Sequence, residues 1–263
     1  MRPTYELYAI RYATNGERTR GQNFIFETDP DVLHPIDFFC WVAIGEAGTF
    51  VIDTGMAKHK AEKHGHEFLH SPIDGLRSVG VDPERVETVI MTHLHYDHTG
   101  HVDAFPNARF ELQKAEMDYV VSPFMQQRWC RRAYEIDEIT RFVELLHTDR
   151  LVLHGPDKQM APGLSVHLVG GHCAGQEIVR VCTQRGWVVL ASDALHYYEE
   201  YERGVPFTVA YSIADMLIAH DRIRELADSD AHVVAAHDPL VMRRYPPTLG
   251  ADFVVRLDVP PSR

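Results

Sequence analysis

The apolar positions of the chain alternate between a period of two, typical of strands, and the longer period of helices. Strands are predicted where branched and aromatic residues concentrate, at residues 5–12, 38–44, 49–52, 86–91, 108–112, 164–169, 178–182, 187–191 and 232–236. Helices are predicted for the amphipathic segments 57–83 (interrupted at Ser71-Pro72), 114–121, 125–147 and 212–227. Strand-rich segments in both halves indicate two layers of sheet and helix that face each other.

Two polar segments bear on binding. Residues 13–35 are irregular and punctuated by Gly and Pro, which predicts a long loop of the kind that often binds ligands. The predicted helical segment 57–83 carries His59, His64, His66 and His70 among lysines and glutamates. We expect these histidines on a solvated helix face rather than in a second metal cluster.

Composition narrows the class of protein. The 263 residues contain no repeat and no low-complexity linker, which predicts a single domain over residues 1–263. The net charge of -12 argues against a nucleic-acid partner, and no apolar run resembles a signal peptide or a membrane span, so we expect a cytoplasmic protein. Cys40, Cys130, Cys173 and Cys182 lack CxxC spacing and are expected as free thiols. A monomer and a homodimer both remain open.

The candidate chemistry follows the strand at residues 86–91. His93, His95, Asp97 and His98 fall within six positions, and burying so many polar donors without a metal would be costly. His93 and His95 point the same way on an extended segment, whereas Asp97 and His98 turn toward a second position. This cluster therefore predicts a metal site.

Further donors follow other predicted strands: His172, Asp193 and His237. Seven donors exceed the four or so that one zinc ion takes, so they suit two ions if one carboxylate bridges. In a chain with 17 histidines, His172 or His237 alone would more often be a packing residue. Asp53, at another strand end, either caps the following turn or orients a ligating imidazole, and on its own the cap is favoured.

His93-Leu94-His95-Tyr96-Asp97-His98 resembles the H-x-H-x-D-H signature of the metallo-β-lactamase superfamily. The other motifs of that superfamily have counterparts in order along the chain: Asp53-Thr54-Gly55, Gly171-His172, Ser192-Asp193-Ala194 and Ala236-His237-Asp238-Pro239. Within the superfamily the chain is most similar to the N-acyl-homoserine lactonase group. The resemblance implies an α/β fold, an αββα sandwich of two mixed sheets flanked by helices.

The resemblance also implies roles for the donors. His93, His95 and His172 would hold one ion, Asp97, His98 and His237 the other, with Asp193 bridging them and Asp53 orienting a ligand. The implied cofactors are two divalent ions; zinc is expected, and iron, manganese or cobalt also suit these donors. The implied reaction is the opening of a lactone ring by a metal-bridging hydroxide, a quorum-quenching activity when the lactone is an N-acyl-homoserine lactone.

The chain departs from the lactonases at two places. Val169-Gly170-Gly171-His172 stands where the superfamily commonly has Thr-Pro-Gly-His, and His196 stands where lactonases have a substrate-contacting Tyr. His196, Tyr197 or Tyr198 would then contact the substrate carbonyl, and Asp97 would carry a proton to the leaving group. The alternatives are a glyoxalase-II-like thioesterase or another carboxylic ester hydrolase, then a persulfide dioxygenase and a non-catalytic metal-binding protein.

Overall fold

Two β-sheets pack face to face with helices on their outer faces in the computed structural model, which describes residues 3–262. The strands are β1 (Tyr5–Asn15), β2 (Ile36–Gly45), β3 (Gly48–Ile52), β4 (Glu67–Phe68), β5 (Thr88–Met91), β6 (Arg109–Gln113), β7 (Leu151–His154), β8 (Asp157–Ala161), β9 (Leu164–Leu168), β10 (Glu177–Thr183), β11 (Gly186–Leu190), β12 (Val233–Val234), β13 (Pro247–Thr248) and β14 (Ala251–Arg256). The α-helices are α1 (Arg20–Asn23), α2 (Lys58–Lys63), α3 (Pro72–Ser78), α4 (Lys114–Val120), α5 (Arg128–Arg131), α6 (Ile136–His147), α7 (Tyr198–Arg203), α8 (Ile213–Leu226) and α9 (Leu240–Arg244). None of the helices within 3–262 combines the length and apolarity needed to cross a bilayer.

The two sheets are mixed and of unequal size. The first runs β13-β14-β1-β2-β3-β5-β6-β7 with β4 added beside β1, and the second runs β12-β11-β10-β9-β8. The predicted halves are therefore not equivalent, because β7, β13 and β14 from the second half join the first sheet. β14 covers the long β1 strand, whose edge would otherwise expose unpaired backbone groups.

Alternation along β1 divides the core into two parts. Leu7 and Ala9 face the second sheet, whereas Ile10 and Tyr12 face the helices that cover the first sheet. The apolar stripe of α6, with Ile139 and Phe142, packs in this outer part. The four cysteines are free thiols, as predicted.

Two local predictions need correction. The segment 57–83 is not one interrupted helix, because the short strand β4 lies between α2 and α3. The predicted loop 13–35 is partly ordered by α1, whose residue Asn23 is fully buried. The amide of Asn23 bonds the His34 carbonyl oxygen and the Tyr197 hydroxyl, contacts between distant residues that local pattern cannot signal.

Candidate metal centre

Seven donor side chains meet at one edge of the sandwich, where strands of both sheets end. They are His93, His95, Asp97, His98, His172, Asp193 and His237. The segment after β5 supplies four of them, and the segments after β9, β11 and β12 supply one each. All seven are buried. The structure thus places together the whole set of donors that the strand ends predicted.

One group of donors consists of His93, His95, His172 and Asp193, whose ligand atoms lie within 4.8 Å of one another. His172 Nε2 lies 2.8 Å from His95 Nδ1 and 3.2 Å from Asp193 Oδ2. His93 Nε2 lies 3.8 Å from the same carboxylate oxygen. Three imidazole nitrogens and one oxygen therefore surround one small volume.

The second group consists of Asp97, His98, His237 and the same Asp193. Asp193 Oδ1 lies 3.2 Å from His98 Nε2 and 3.1 Å from His237 Nε2. Asp97 Oδ2 lies 3.5 Å from His98 Nε2 and 3.8 Å from His237 Nε2. The two oxygens of Asp193 thus face different donor groups, which is the arrangement of a carboxylate between two cations.

Hydrogen bonds at the far side of two rings turn the Nε2 atoms of His172 and His237 toward the other donors. The Nδ1–H of His172 donates to the Val209 carbonyl oxygen at 2.9 Å, and that of His237 to the Asp37 carbonyl oxygen at 2.8 Å. The buried Nε2 atoms of His93 and His98 have no hydrogen-bond partner within residues 3–262. Burial lowers the pKa of His93 and His172 well below its usual value, which favours the neutral imidazole that binds metals. The cluster is suited to binding metal ions.

Asp53 orients one of these imidazoles. Its carboxylate accepts hydrogen bonds from His98 Nδ1 at 2.7 Å and from the Thr92 backbone N–H at 2.8 Å. Despite the opposing effect of burial, the carboxylates of Asp97 and Asp53 raise the pKa of His98 well above its usual value, so positive charge is favoured here. Asp53 has φ +58, an uncommon backbone conformation for a residue with a side chain. The orienting interpretation of Asp53 therefore replaces the cap.

Glu116, on α4, joins two of the donor loops and was missed by sequence analysis. Its buried carboxylate accepts the Leu94 N–H at 3.1 Å, between His93 and His95, and the Gly175 N–H at 3.0 Å, in the loop of His172. Tyr134 donates to the same side chain at 2.9 Å. A glutamate on an amphipathic helix carries no local signal of such a role.

The glycine pair before His172 sets the shape of that loop. Gly171 has φ +86, and a Cβ there would lie 2.5 Å from the backbone of Met216 on α8. The Gly171 carbonyl oxygen accepts the N–H groups of Tyr211 and Ser212. Only glycine combines this conformation with so close an approach, so the Gly-Gly sequence gives the loop a defined shape.

Comparison with known proteins decides the family. A sequence profile described as the metallo-beta-lactamase superfamily matches residues 39–237, more than half of the chain. The chain belongs to this superfamily. It is 28% identical over 225 residues to the N-acyl homoserine lactonase AttM of Agrobacterium fabrum, covering 78% of this chain and 82% of the relative. It is 26% identical over 194 residues to the lactonase AiiA of Bacillus thuringiensis subsp. kurstaki, covering 68% and 72%.

Solved structures of the superfamily share the fold. A quorum-quenching N-acyl homoserine lactone lactonase superposes with a TM-score of 0.76 at 23% identity, over 91% of this chain and 95% of that one. AidC, a dizinc quorum-quenching lactonase, superposes with a TM-score of 0.69 at 15% identity, over 99% and 98%. The predicted metallo-β-lactamase sandwich and the likeness to the lactonase group are confirmed.

The three candidate substrate contacts of this superfamily member separate in space. His196 lines the cavity at the donor cluster, with its Nε2 3.2 Å from Asp193 Oδ2. The Tyr197 hydroxyl instead bonds Asn23 and the Pro35 carbonyl oxygen, and the Tyr198 ring packs 4.1 Å from the Arg244 guanidinium in another cavity. The alternatives Tyr197 and Tyr198 therefore lie off the site, because the chain turns into α7 directly after His196.

The prediction of a solvated face is correct for the exposed His59 and wrong for His64, His66 and the half-buried His70, which stacks on Phe253 at 3.9 Å. His66 is buried, and its Nε2 lies 2.8 Å from the Tyr96 hydroxyl. His64 stacks on the Tyr96 ring at 3.8 Å. Both pack against the donor loop of the superfamily signature, because the turn after α2 folds back onto it.

Two adjoining cavities open at the centre. The smaller, about 70 Å³, holds His196 and Phe207 beside the donors. The larger, about 220 Å³, extends from His95 and His172 between aromatic side chains. These aromatic residues are Tyr119, Phe124, Trp129, Tyr134 and Tyr211. The two cavities share His95 and His172 and thus form adjoining compartments beside the donors.

Proposed function

We propose that the protein is a two-metal hydrolase that opens a lactone ring. The observation that carries the proposal is Asp193, whose two oxygens face two separate groups of histidines. The relatives named as N-acyl homoserine lactonases support a lactone as the substrate class. Zinc is the proposed ion, and iron, manganese and cobalt fit the same donors.

Two side chains of the site, Asp97 and His196, assist the reaction beside the metal ions. Two divalent ions bound here would lower the pKa of a shared water toward about 7 and polarise the substrate carbonyl oxygen. Asp97, at the mouth side of the second donor group, accepts a proton from the attacking water and passes it to the leaving alkoxide. His196 donates from Nε2 to the carbonyl oxygen as negative charge develops there.

A carboxylic ester or a glutathione thioester would suit the same donors. The decisive experiment measures turnover of an N-acyl-homoserine lactone, an acyclic ester and a glutathione thioester by protein whose metal content has been quantified. We expect the lactone to give the highest kcat/KM. A thioester preference would identify a glyoxalase-II-like enzyme, and no turnover of the panel would contradict the hydrolase proposal.

If His196 contacts the substrate carbonyl, substitutions of His196 and of its neighbour Tyr198 should affect kcat differently. His196→Ala should lower kcat for the lactone by roughly 100-fold, the loss usual for one oxyanion donor. Tyr198→Phe, two residues away and outside the cavity, should leave kcat within about twofold. Equal kcat values for wild type and His196→Ala at unchanged metal content would contradict the assignment.

A further inference from the structure

Two arginines stand at the mouth of the site without carboxylate partners. Arg18 lines the cavity that holds Asp97 and Asp193, and Arg132 lines the adjoining aromatic cavity. The chain has 38 acidic and 26 basic side chains, so carboxylates are plentiful. Arg20, two positions from Arg18, already pairs with Glu27 and Glu199. Within residues 3–262 no such pair forms at Arg18 or Arg132.

Hydrogen bonds hold the two guanidinium groups along one strip of backbone. Arg18 donates from Nε to the buried Asn23 side chain and from Nη2 to the Gln22 carbonyl oxygen at 3.0 Å. The hydroxyl of Thr208 donates to the same Gln22 oxygen at 2.6 Å, and the Thr208 carbonyl oxygen accepts Arg132 Nη2 at 3.4 Å. Neither Nη1 group has a hydrogen-bond partner in the described part of the chain, residues 3–262.

Aromatic rings back both guanidinium groups. Arg132 lies 3.4 Å from the centre of the Trp129 ring, and Arg18 lies 5.3 Å from that of Phe207. Phe207 stacks in turn on His196 at 3.6 Å. Arg18 is therefore positioned relative to His196 through Phe207.

Two like charges held this way repel each other. Burial and the positive charge of Arg18 lower the pKa of Arg132, so the two groups lie within electrostatic reach. An anion between them would remove the repulsion and form charge-assisted hydrogen bonds with both forks. A neutral acyl chain would neither remove the repulsion nor form charge-assisted hydrogen bonds.

We propose that Arg18 and Arg132 bind an anionic group of the substrate, a carboxylate or a phosphate, at a distance from the carbonyl that is hydrolysed. The inference rests on the proposed function and narrows its substrate class to lactones or esters with a second, negatively charged group. Asn23 and Thr208 position the arginine pair.

The kinetic test uses two lactones that differ only at the end of the acyl chain, N-hexanoyl-homoserine lactone and its terminal carboxylate analogue, N-adipoyl-homoserine lactone. Wild type should favour the adipoyl compound in kcat/KM. Arg18→Gln and Arg132→Gln should each reduce that preference roughly tenfold, mainly through KM, because each removes a charge-assisted contact. Arg77→Gln, on the exposed side of α3, is the matched control and should leave the preference unchanged. The same preference in wild type and both cavity variants would overturn the proposal.

A binding measurement separates this proposal from the proposed function. Glutarate and butyl phosphate are titrated calorimetrically into the metal-loaded protein and the three variants, which also distinguishes a carboxylate from a phosphate site. Weaker binding of either anion in Arg18→Gln and Arg132→Gln, but not in Arg77→Gln, would support the arginine site. If neither lactone is hydrolysed, the lactonase proposal fails. Equal binding of both anions by all four proteins would overturn the arginine site.

Discussion

Asp193 is the residue on which the two halves of the site depend. Its Oδ2 lies near His172 and its Oδ1 near His98 and His237, so removing the carboxylate leaves both groups one donor short. The Thr92 hydroxyl lies 2.7 Å from that of Ser192, the residue before Asp193, and it donates to Asp53. Ser192 has φ +43, so the chain conformation that delivers Asp193 is itself unusual.

Asp193→Ala should therefore lose bound metal as well as activity. We expect the metal content to fall and kcat to drop by at least roughly 100-fold, because both ion positions share this side chain. Asp118→Ala, an exposed residue on α4, is the matched control. Elemental analysis of both purified variants checks the prediction, and a variant that keeps two ions per chain would refute the bridging role.

Among single residues, sequence analysis identifies all seven side chains that the structure groups at the site, but it misses the Glu116 carboxylate that joins two of their loops. His93, His172, Asp193 and His237 all follow strands, and strand ends are where sheets of this kind place functional residues. Glu116 acts through contacts with Leu94 and Gly175, which lie far from it in the chain, and periodicity and motif spacing do not encode such contacts.

Among the elements, the loop between β9 and β10 is held by close contacts with two helices, α8 and α4. Gly171 approaches the backbone of Met216 on α8, so the position of the donor loop depends on the position of α8. The loop is also tied to α4 through the Gly175 N–H and Glu116. A change at Gly171 should thus reach the metal site through His172.

Gly171→Ala should lower both the free energy of unfolding and the metal affinity. Gly250→Ala is a matched control, since Gly250 has φ +83 but open space around it. In both variants the left-handed conformation of the new alanine should lower the free energy of unfolding by roughly 1–2 kcal/mol. Only in Gly171→Ala does the added Cβ also collide with α8. Urea denaturation and chelator competition measure the two effects. Similar losses in both variants would show that the contact with Met216 is unimportant.

Helix α6 adds a pH-dependent contact to the donor loop. Glu138 Oε2 lies 2.8 Å from the Thr99 hydroxyl, which also donates to the His95 carbonyl oxygen at 3.1 Å. Burial raises the pKa of Glu138 from 4.5 to about 7, against the lowering effects of the hydrogen bond from Thr99 and of the Lys60 charge.

The sign of the pH effect follows from this shift. Glu138 stabilises the fold fully below its unfolded pKa of 4.5, and the contribution is lost as pH rises through about 7. The free energy of unfolding of wild type, relative to Glu138→Gln, should fall by at most about 3 kcal/mol between about pH 4.5 and 8. Glu144→Gln, exposed on the same helix, is the control. A pH-independent difference between wild type and Glu138→Gln would contradict the account.

In the whole molecule, the two sheets meet so that β5 and β9 deliver donors to one ion position while β11 supplies the shared carboxylate. The strand-rich segments of both halves predict two facing layers, and the resemblance to the superfamily implies the sandwich; the near-continuous apolar run of β2 fits a sheet buried on both faces. The pattern does not predict that β7, β13 and β14 return to the first sheet, since strand partners are chosen by packing rather than by local sequence.

We propose that two ions together support lactone opening. The most direct measurement titrates zinc into metal-free protein and follows both bound zinc and the rate of N-hexanoyl-homoserine lactone hydrolysis. We expect no hydrolysis without metal, little hydrolysis with one equivalent of zinc bound and full activity with two equivalents bound. Full turnover after thorough chelation, or a rate that saturates at one equivalent, would contradict it.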